Sequence, residues 1–402
     1  MLPGRAEKQP ARLKPPENIE SLIFFSQRPQ RPLEARERQG TELLEKLLQE
    51  RQKLVLERRA QAIAQLSRFV AQEPEAAPEM PDALLRLAEL RWEEARSAYV
   101  EQYAAWHQLP PSARAKEAPT ADVRVALALY DRILDQHRDF PRYDLVLYMK
   151  AYALLEAGRM SEALAQYKRI LDEFPDSRFR PDAHMAFAEA HFSGSHDFAA
   201  ALERYEEVLK YPDSDLADLA LFKSAWCLWK MGKVQLAATR FRQVLDLGGK
   251  ADQVSADRRR RRLELQDEAL EYLIQVFTED ERNSAADLHR FLTSIGGEKY
   301  AGRVLRRLSR AYFDQARYAR AVEAYKMLLV MEPDDPQAPQ AQRQIAASHA
   351  ALEDHPSTIA ALTELARNYG PSSEWAKKQA DPNTVREAQQ AAERALRMQG
   401  MR

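Results

Sequence analysis

From Leu33 almost to the C-terminus, apolar residues recur every three or four positions with polar residues between them, the spacing of a buried stripe on a helix. No segment keeps the apolar–polar alternation of a half-buried strand. Residues 1–32 break the pattern. They are rich in Pro, Arg, Lys and Gln and read as a disordered lead-in. The helical pattern also repeats itself. SEALAQYKRILDEFPDS from Ser161, AAALERYEEVLKYPDSD from Ala199 and ARAVEAYKMLLVMEPDD from Ala319 follow one scheme. Each has a small residue, an aromatic four positions on, an aliphatic pair, and a closing Pro with acidic neighbours.

The small positions are Ala62, Ala126, Ala163, Ala201, Ala237 and Ala321. The steps from Ala126 to Ala163, Ala201 and Ala237 are 37, 38 and 36 residues, and the 84-residue step to Ala321 leaves room for one divergent repeat. The partners one turn later are Leu66, Tyr130, Tyr167, Tyr205, Phe241, Tyr325 and Leu362. Two antiparallel helices approach closely only where a side chain is small, and the aromatic then fills the space beside the neighbour. Pro ends the second helix because it cannot continue the hydrogen-bond ladder. Gly158 and Gly232 mark turns between paired helices.

These residues resemble the tetratricopeptide repeat family over roughly residues 40–372. The resemblance implies an all-α, right-handed superhelical solenoid of antiparallel helix pairs. Clear repeats are 144–177, 182–215, 218–251 and 302–335. Repeats 43–76, 80–141, 257–298 and 339–372 diverge, with Thr358 where Ala is expected and a Pro-rich insertion, LPPSARAKEAPT, inside 80–141. Residues 373–402 read as a capping helix, which a repeat array needs at its open end. The phrase FPDSRFRPDAHMAFAEAHF is similar to bacterial cell-envelope tetratricopeptide proteins, the outer-membrane assembly lipoproteins and cell-division coordinators. LELQDEALEYLIQVFTEDE and SIGGEKY are similar to myxobacterial proteins, some of which serve gliding motility. The implied role is a non-catalytic scaffold for protein partners in the envelope or periplasm. A cytoplasmic adaptor or chaperone-like peptide binder is the alternative, and a nucleic-acid-associated protein comes third.

In this family the first helices of successive repeats line a concave groove. Carried onto this sequence, the groove positions are Tyr148 and Tyr152, then Phe222, Trp226 and Trp229, then Arg303, Arg306 and Arg310. Spacings of three and four put each set on one helical face. The expected surface has an aromatic centre and a basic end, suited to a peptide with apolar anchors and an acidic stretch. Leu221, Ala225 and Leu228 would fill the opposite, inward face of the same helix. The competing reading is that the aromatic stripe is core.

Composition narrows the picture further. The 402 residues carry a net charge of −1, which does not favour a general nucleic-acid binder. Only 12 are Gly, which leaves little room for phosphate loops, and no metalloprotease, hydrolase or calcium-loop motif is present, so neither an enzyme nor a cofactor is expected. The apolar run at 22–25 is too short for a signal-peptide core, and the chain reads as soluble without a membrane span. Five consecutive arginines at 258–262 would point all round a helix and read as a solvated linker and helix start. His184, His191 and His196 are too far apart for a common metal and read as surface histidines. The single cysteine, Cys227, excludes an intramolecular disulfide and reads as a small buried hydrophobe.

Overall fold

The computed structural model of the protein describes residues 35–114, 118–247, 255–278 and 283–400. The expected lead-in at 1–32 lies outside them, as do 115–117 of the Pro-rich insertion. Among the described residues there are seventeen α-helices and no strand, so the class is all-α. The described chain divides into two compact units, with the boundary between Leu216 and Ala217.

The N-terminal unit contains α1 (Ala35–Gln72), α2 (Met80–Gln108), α3 (Arg124–Gln136), α4 (Tyr143–Glu156), α5 (Met160–Glu173), α6 (Arg180–Glu189) and α7 (Phe198–Leu209). Each helix packs mainly on its sequence neighbours, the mark of a solenoid. Its core runs along the small and aromatic positions. Ala126, Ala163 and Ala201 are at most 1% exposed, and Tyr130, Tyr167 and Tyr205 at most 3%. The first position departs from this: Ala62 and Leu66 are only half-buried, because α1 is covered on one side by α2.

The C-terminal unit contains α8 (Ala217–Lys230), α9 (Val234–Asp246), α10 (Ala256–Thr278), α11 (Ala285–Ser294), α12 (Ala301–Asp314), α13 (Tyr318–Met331), α14 (Ala338–Ala351), α15 (His355–Tyr369), α16 (Glu374–Lys378) and α17 (Pro382–Gly400). The divergent stretch 257–298 forms α10 and α11. Helix α17 packs on α15, where Leu365, Tyr369, Trp375 and Ala388 close a small core.

Helix starts follow local chemistry. Pro lies in the first turn of α2, α6, α14 and α15, where its missing N–H costs no helical bond. Asp197, Asp354 and Ser373 cap α7, α15 and α16 by accepting from Ala200, Ser357 and Ala376 N–H. The turn inside each helix pair is also shared. Gly158, His196, Gly232, Ala316 and Glu353 all have left-handed φ, between 53° and 73°. Each stands five residues before the small position of its repeat, at 163, 201, 237, 321 and 358. One repeat has an extra residue between Ala188 and His196. A π-helical turn at Ala190–Ser195 absorbs it, which explains the 38-residue step.

Candidate partner-binding surfaces

In the N-terminal unit, α2 presents residues 92, 96, 99, 103 and 106 on one face, since steps of four and three return to the same side. Tyr99 and Tyr103 lie 5.8 Å apart by ring centroid, and Tyr103 and Trp106 5.7 Å. Trp92 meets Tyr152 of α4 edge-on at 5.6 Å. Tyr152 contacts Tyr148 at 6.3 Å, and Tyr148 stacks on Phe179, before α6, at 4.3 Å and 15°. Guanidinium groups lie over three of these rings: Arg114 on Trp106 at 5.3 Å, Arg96 on Trp92 at 5.8 Å and Arg178 on Phe179 at 4.8 Å.

The result is a strip of seven rings in two contact groups, three rings along α2 and four from α2 through α4 to the start of α6, with three arginines over them. Tyr103 and Tyr152 are 39% and 37% exposed, while the other rings are more covered. Burial, with the Asp182 carboxylate that the Tyr148 hydroxyl donates to, pushes the Tyr148 phenol up to about 12. That hydroxyl therefore stays a donor. Arg96 lies 3.5 Å from Glu156, so the strip carries both signs of charge. Sequence reasoning found Tyr148 and Tyr152 but missed Trp92, Arg96, Tyr99 and Tyr103. The four-and-three spacing along α2 was the available signal.

The second aromatic set is placed differently. Phe222 is 3% exposed and Trp226 5%, and all of 222–228 is buried. The open aromatic groove expected at these two residues is therefore corrected: they are core. The cause is Tyr272 of α10, which lies 4.5 Å from Trp226, 5.8 Å from Phe222 and from Trp229, and 5.6 Å from Phe241. Trp229, at the end of the run, remains half-buried. Ala225 and Leu228 are buried as expected, while Leu221 is intermediate.

The basic end is corrected as well, because acids from neighbouring segments meet it. Arg303 lies 3.7 Å from Asp267, and Arg307 2.5 Å from Glu271. Arg306 donates to Glu332 at 2.6 Å and to Asp335 at 2.7 Å. Arg310 pairs at 3.6 Å with Asp314 and stays 79% exposed. Arg303, Arg306 and Arg310 thus sit on a charge-paired surface rather than a basic one.

The arginine run is not simply solvated. Arg258 and Arg262, one turn apart, both face inward and donate to Asp218 at 2.9 and 2.7 Å. All three residues are under 10% exposed. Burial alone would raise the Asp218 carboxyl, but the two guanidinium hydrogen bonds outweigh it and hold it below its usual value. Arg259, Arg260 and Arg261 face solvent. His184 is likewise no surface histidine. It is 5% exposed with both ring nitrogens unpartnered, and burial pulls it down to about 4. His196 is exposed, and its Nδ1 lies 3.1 Å from the Phe192 carbonyl. Cys227 is buried, as expected. Among the described residues no helix is long and apolar enough to cross a membrane.

No curated protein matches the chain. Similar solved structures include a tetratricopeptide repeat protein from Parabacteroides merdae ATCC 43184, 11% identical over 75% of this chain and 98% of that one, with a TM-score of 0.30. The Naa15/Naa10 complex bound to HypK-THB is 16% identical over 82% of this chain and 45% of that chain, with a TM-score of 0.35. The P58(IPK) TPR domain is 17% identical over 89% and 99%, with a TM-score of 0.22. The family description "Tetratricopeptide repeat" matches residues 120–178, 185–253 and 306–373. The chain carries tetratricopeptide repeats across these three segments.

Proposed function

We propose that this protein is a non-catalytic scaffold that holds other proteins, and that the aromatic–arginine strip of the N-terminal unit is its principal docking surface. Tetratricopeptide repeats suggest protein–protein interaction. The observation that carries the site is the pair of ring groups Tyr99–Tyr103–Trp106 and Trp92–Tyr152–Tyr148–Phe179, which share one face of α2 and leave Tyr103 and Tyr152 open to solvent. Aromatic and Arg side chains are enriched at the energetic centres of interfaces. A partner segment with apolar or aromatic anchors and nearby acidic residues suits the rings and their three guanidiniums.

The finer reading is an adaptor in assembly of a bacterial envelope or motility complex. The sequence phrases from Phe174 and Leu263 support it. A cytoplasmic adaptor is the alternative. The arginine run gives less support to a nucleic-acid role, since two of its five side chains are engaged by Asp218.

The test is affinity capture with mass spectrometry, comparing the intact chain with Arg96→Ala/Tyr103→Ala/Tyr152→Ala. The expected result is a specific set of proteins whose recovery falls at least tenfold with the variant, at unchanged helicity. Equal recovery by both forms would remove the strip as the site. Cell fractionation checks the finer reading: a protein found only in the cytoplasm overturns the envelope role.

A further inference from the structure

We propose that the distal half of the α1–α2 hairpin is a self-association surface, on which α1 of one protomer lies against α2 of a second copy of this chain. In α1, every described side chain from 46 to 58 is exposed, so this stretch has no buried face. Yet it is not polar. Leu47 is 51% exposed, Leu54 52%, Val55 56% and Leu56 44%. Leu47 and Leu54 are seven apart and share a face. Across the hairpin, Val100 of α2 is 58% exposed.

The register explains why these residues stay open. Arg59 donates to Ser97 Oγ at 3.0 Å. Counting along the antiparallel helices from that bond puts Val100 level with Leu56. Both remain largely exposed, so the helices do not bury each other beyond this point. A solitary helical stretch of this length is marginal in water, and a stripe of large aliphatics calls for a cover.

Charge selects the occupant. Between 46 and 59, α1 carries Lys46, Arg51, Lys53, Arg58 and Arg59 against Glu50 and Glu57. Between 93 and 108, α2 carries Glu93, Glu94 and Glu101 against Arg96. Among the described residues, Arg59 pairs with Glu93, Glu94 with Arg91 and Arg96 with Glu156, whereas Lys46, Arg51, Lys53 and Arg58, with Glu50 and Glu57, leave α1 a basic surplus outside any ion pair and Glu101 leaves α2 an acidic one. A two-fold axis across the hairpin lays the basic helix of each copy on the acidic helix of the other. It also brings Leu47 and Leu54 of one chain toward Val100 of its partner. The face is about 20 Å long and about 20 Å wide, two helix diameters. Its area of roughly 400 Å² is about half that of a standard interface side. A face of this size suits a weak, reversible association.

The experiment is sedimentation velocity on the full chain over a concentration series. The intact protein is expected to show a monomer–dimer equilibrium. Leu47→Glu with Leu54→Glu is expected to weaken it at least tenfold while circular dichroism stays unchanged. Lys53→Glu alone and Glu101→Lys alone are each expected to weaken dimerisation, and the two together to restore it, which guards against a variant that merely misfolds. A photo-cross-linker at Arg51, in a mixture of isotopically light and heavy chains, is expected to capture residues 93–108 of the other chain. A monomer at all concentrations, a dimer unmoved by these changes, or a cross-link within one chain or to a different protein each overturns the proposal.

Discussion

Five residues end the first helix of their repeat in the left-handed region, and only Gly158 and Gly232 do so without a Cβ penalty. His196, Ala316 and Glu353, at φ 53°, 59° and 60°, occupy the same turn at a cost of roughly 1 kcal/mol each. Ala316→Gly is therefore expected to raise stability by roughly 0.5–1 kcal/mol, measured by urea unfolding, although Gly also loosens the unfolded chain. The two glycines were legible as turns. The other three were not, because nothing in Ala or Glu announces positive φ. His184 offers a second check. It is buried neutral, with its pKa pulled from 6.5 to about 4. Below pH 6.5 the unfolded chain takes up a proton that the folded chain refuses. Stability from this group is therefore full above 6.5 and declines as pH falls toward 4, by up to about 1.4 kcal/mol per pH unit. His184→Leu is expected to flatten that acid limb in urea titrations at pH 7 and 4.5. An unchanged pH slope would mean that another group governs it.

Helix α8 shows what decides an element's role. Between Leu219 and Trp229 its apolar residues spread round most of the circumference, broken only by Lys223 and Ser224, so periodicity could not say which face meets another helix and which meets a partner. Tyr272, fifty residues on from Phe222, settles it by filling the centre of a four-ring cluster. Removing that ring by Tyr272→Ala is expected to cost about 3–5 kcal/mol. It should also red-shift Trp226 and Trp229 fluorescence as water reaches them. An unchanged spectrum would show that Tyr272 is not the cover. Helix α10 carries a second lesson. Five consecutive arginines do spread around a helix, but the same 100° step puts Arg258 and Arg262 on one side. Asp218, forty residues upstream of Arg258, gives that side a reason to be buried. Only the packing of α10 against α8 and α9 brings the three groups together.

In a repeat array each pair is held by its neighbours, so a local lesion stays local. Asp218→Ala would leave two buried guanidiniums without their shared carboxylate, an expected loss of about 3 kcal/mol or more. Hydrogen exchange should show lost protection in α8–α11, while α2–α5 keep theirs. Loss of protection throughout would mean one cooperative block instead. The sequence by itself determined the all-α class, the length and spacing of the helix pairs, and the small–aromatic register of the core. These depend on residues within one or two turns of each other, which a helical period reports directly. Tertiary structure decided which aromatics face solvent, which arginines carry unmatched charge, and where an apolar stripe is left uncovered. Trp92 joins Tyr152, and Tyr272 covers Trp226, only because helices from different repeats are brought into contact. Whether an apolar face becomes core or surface depends on what lies across from it, and that neighbour is remote in the chain.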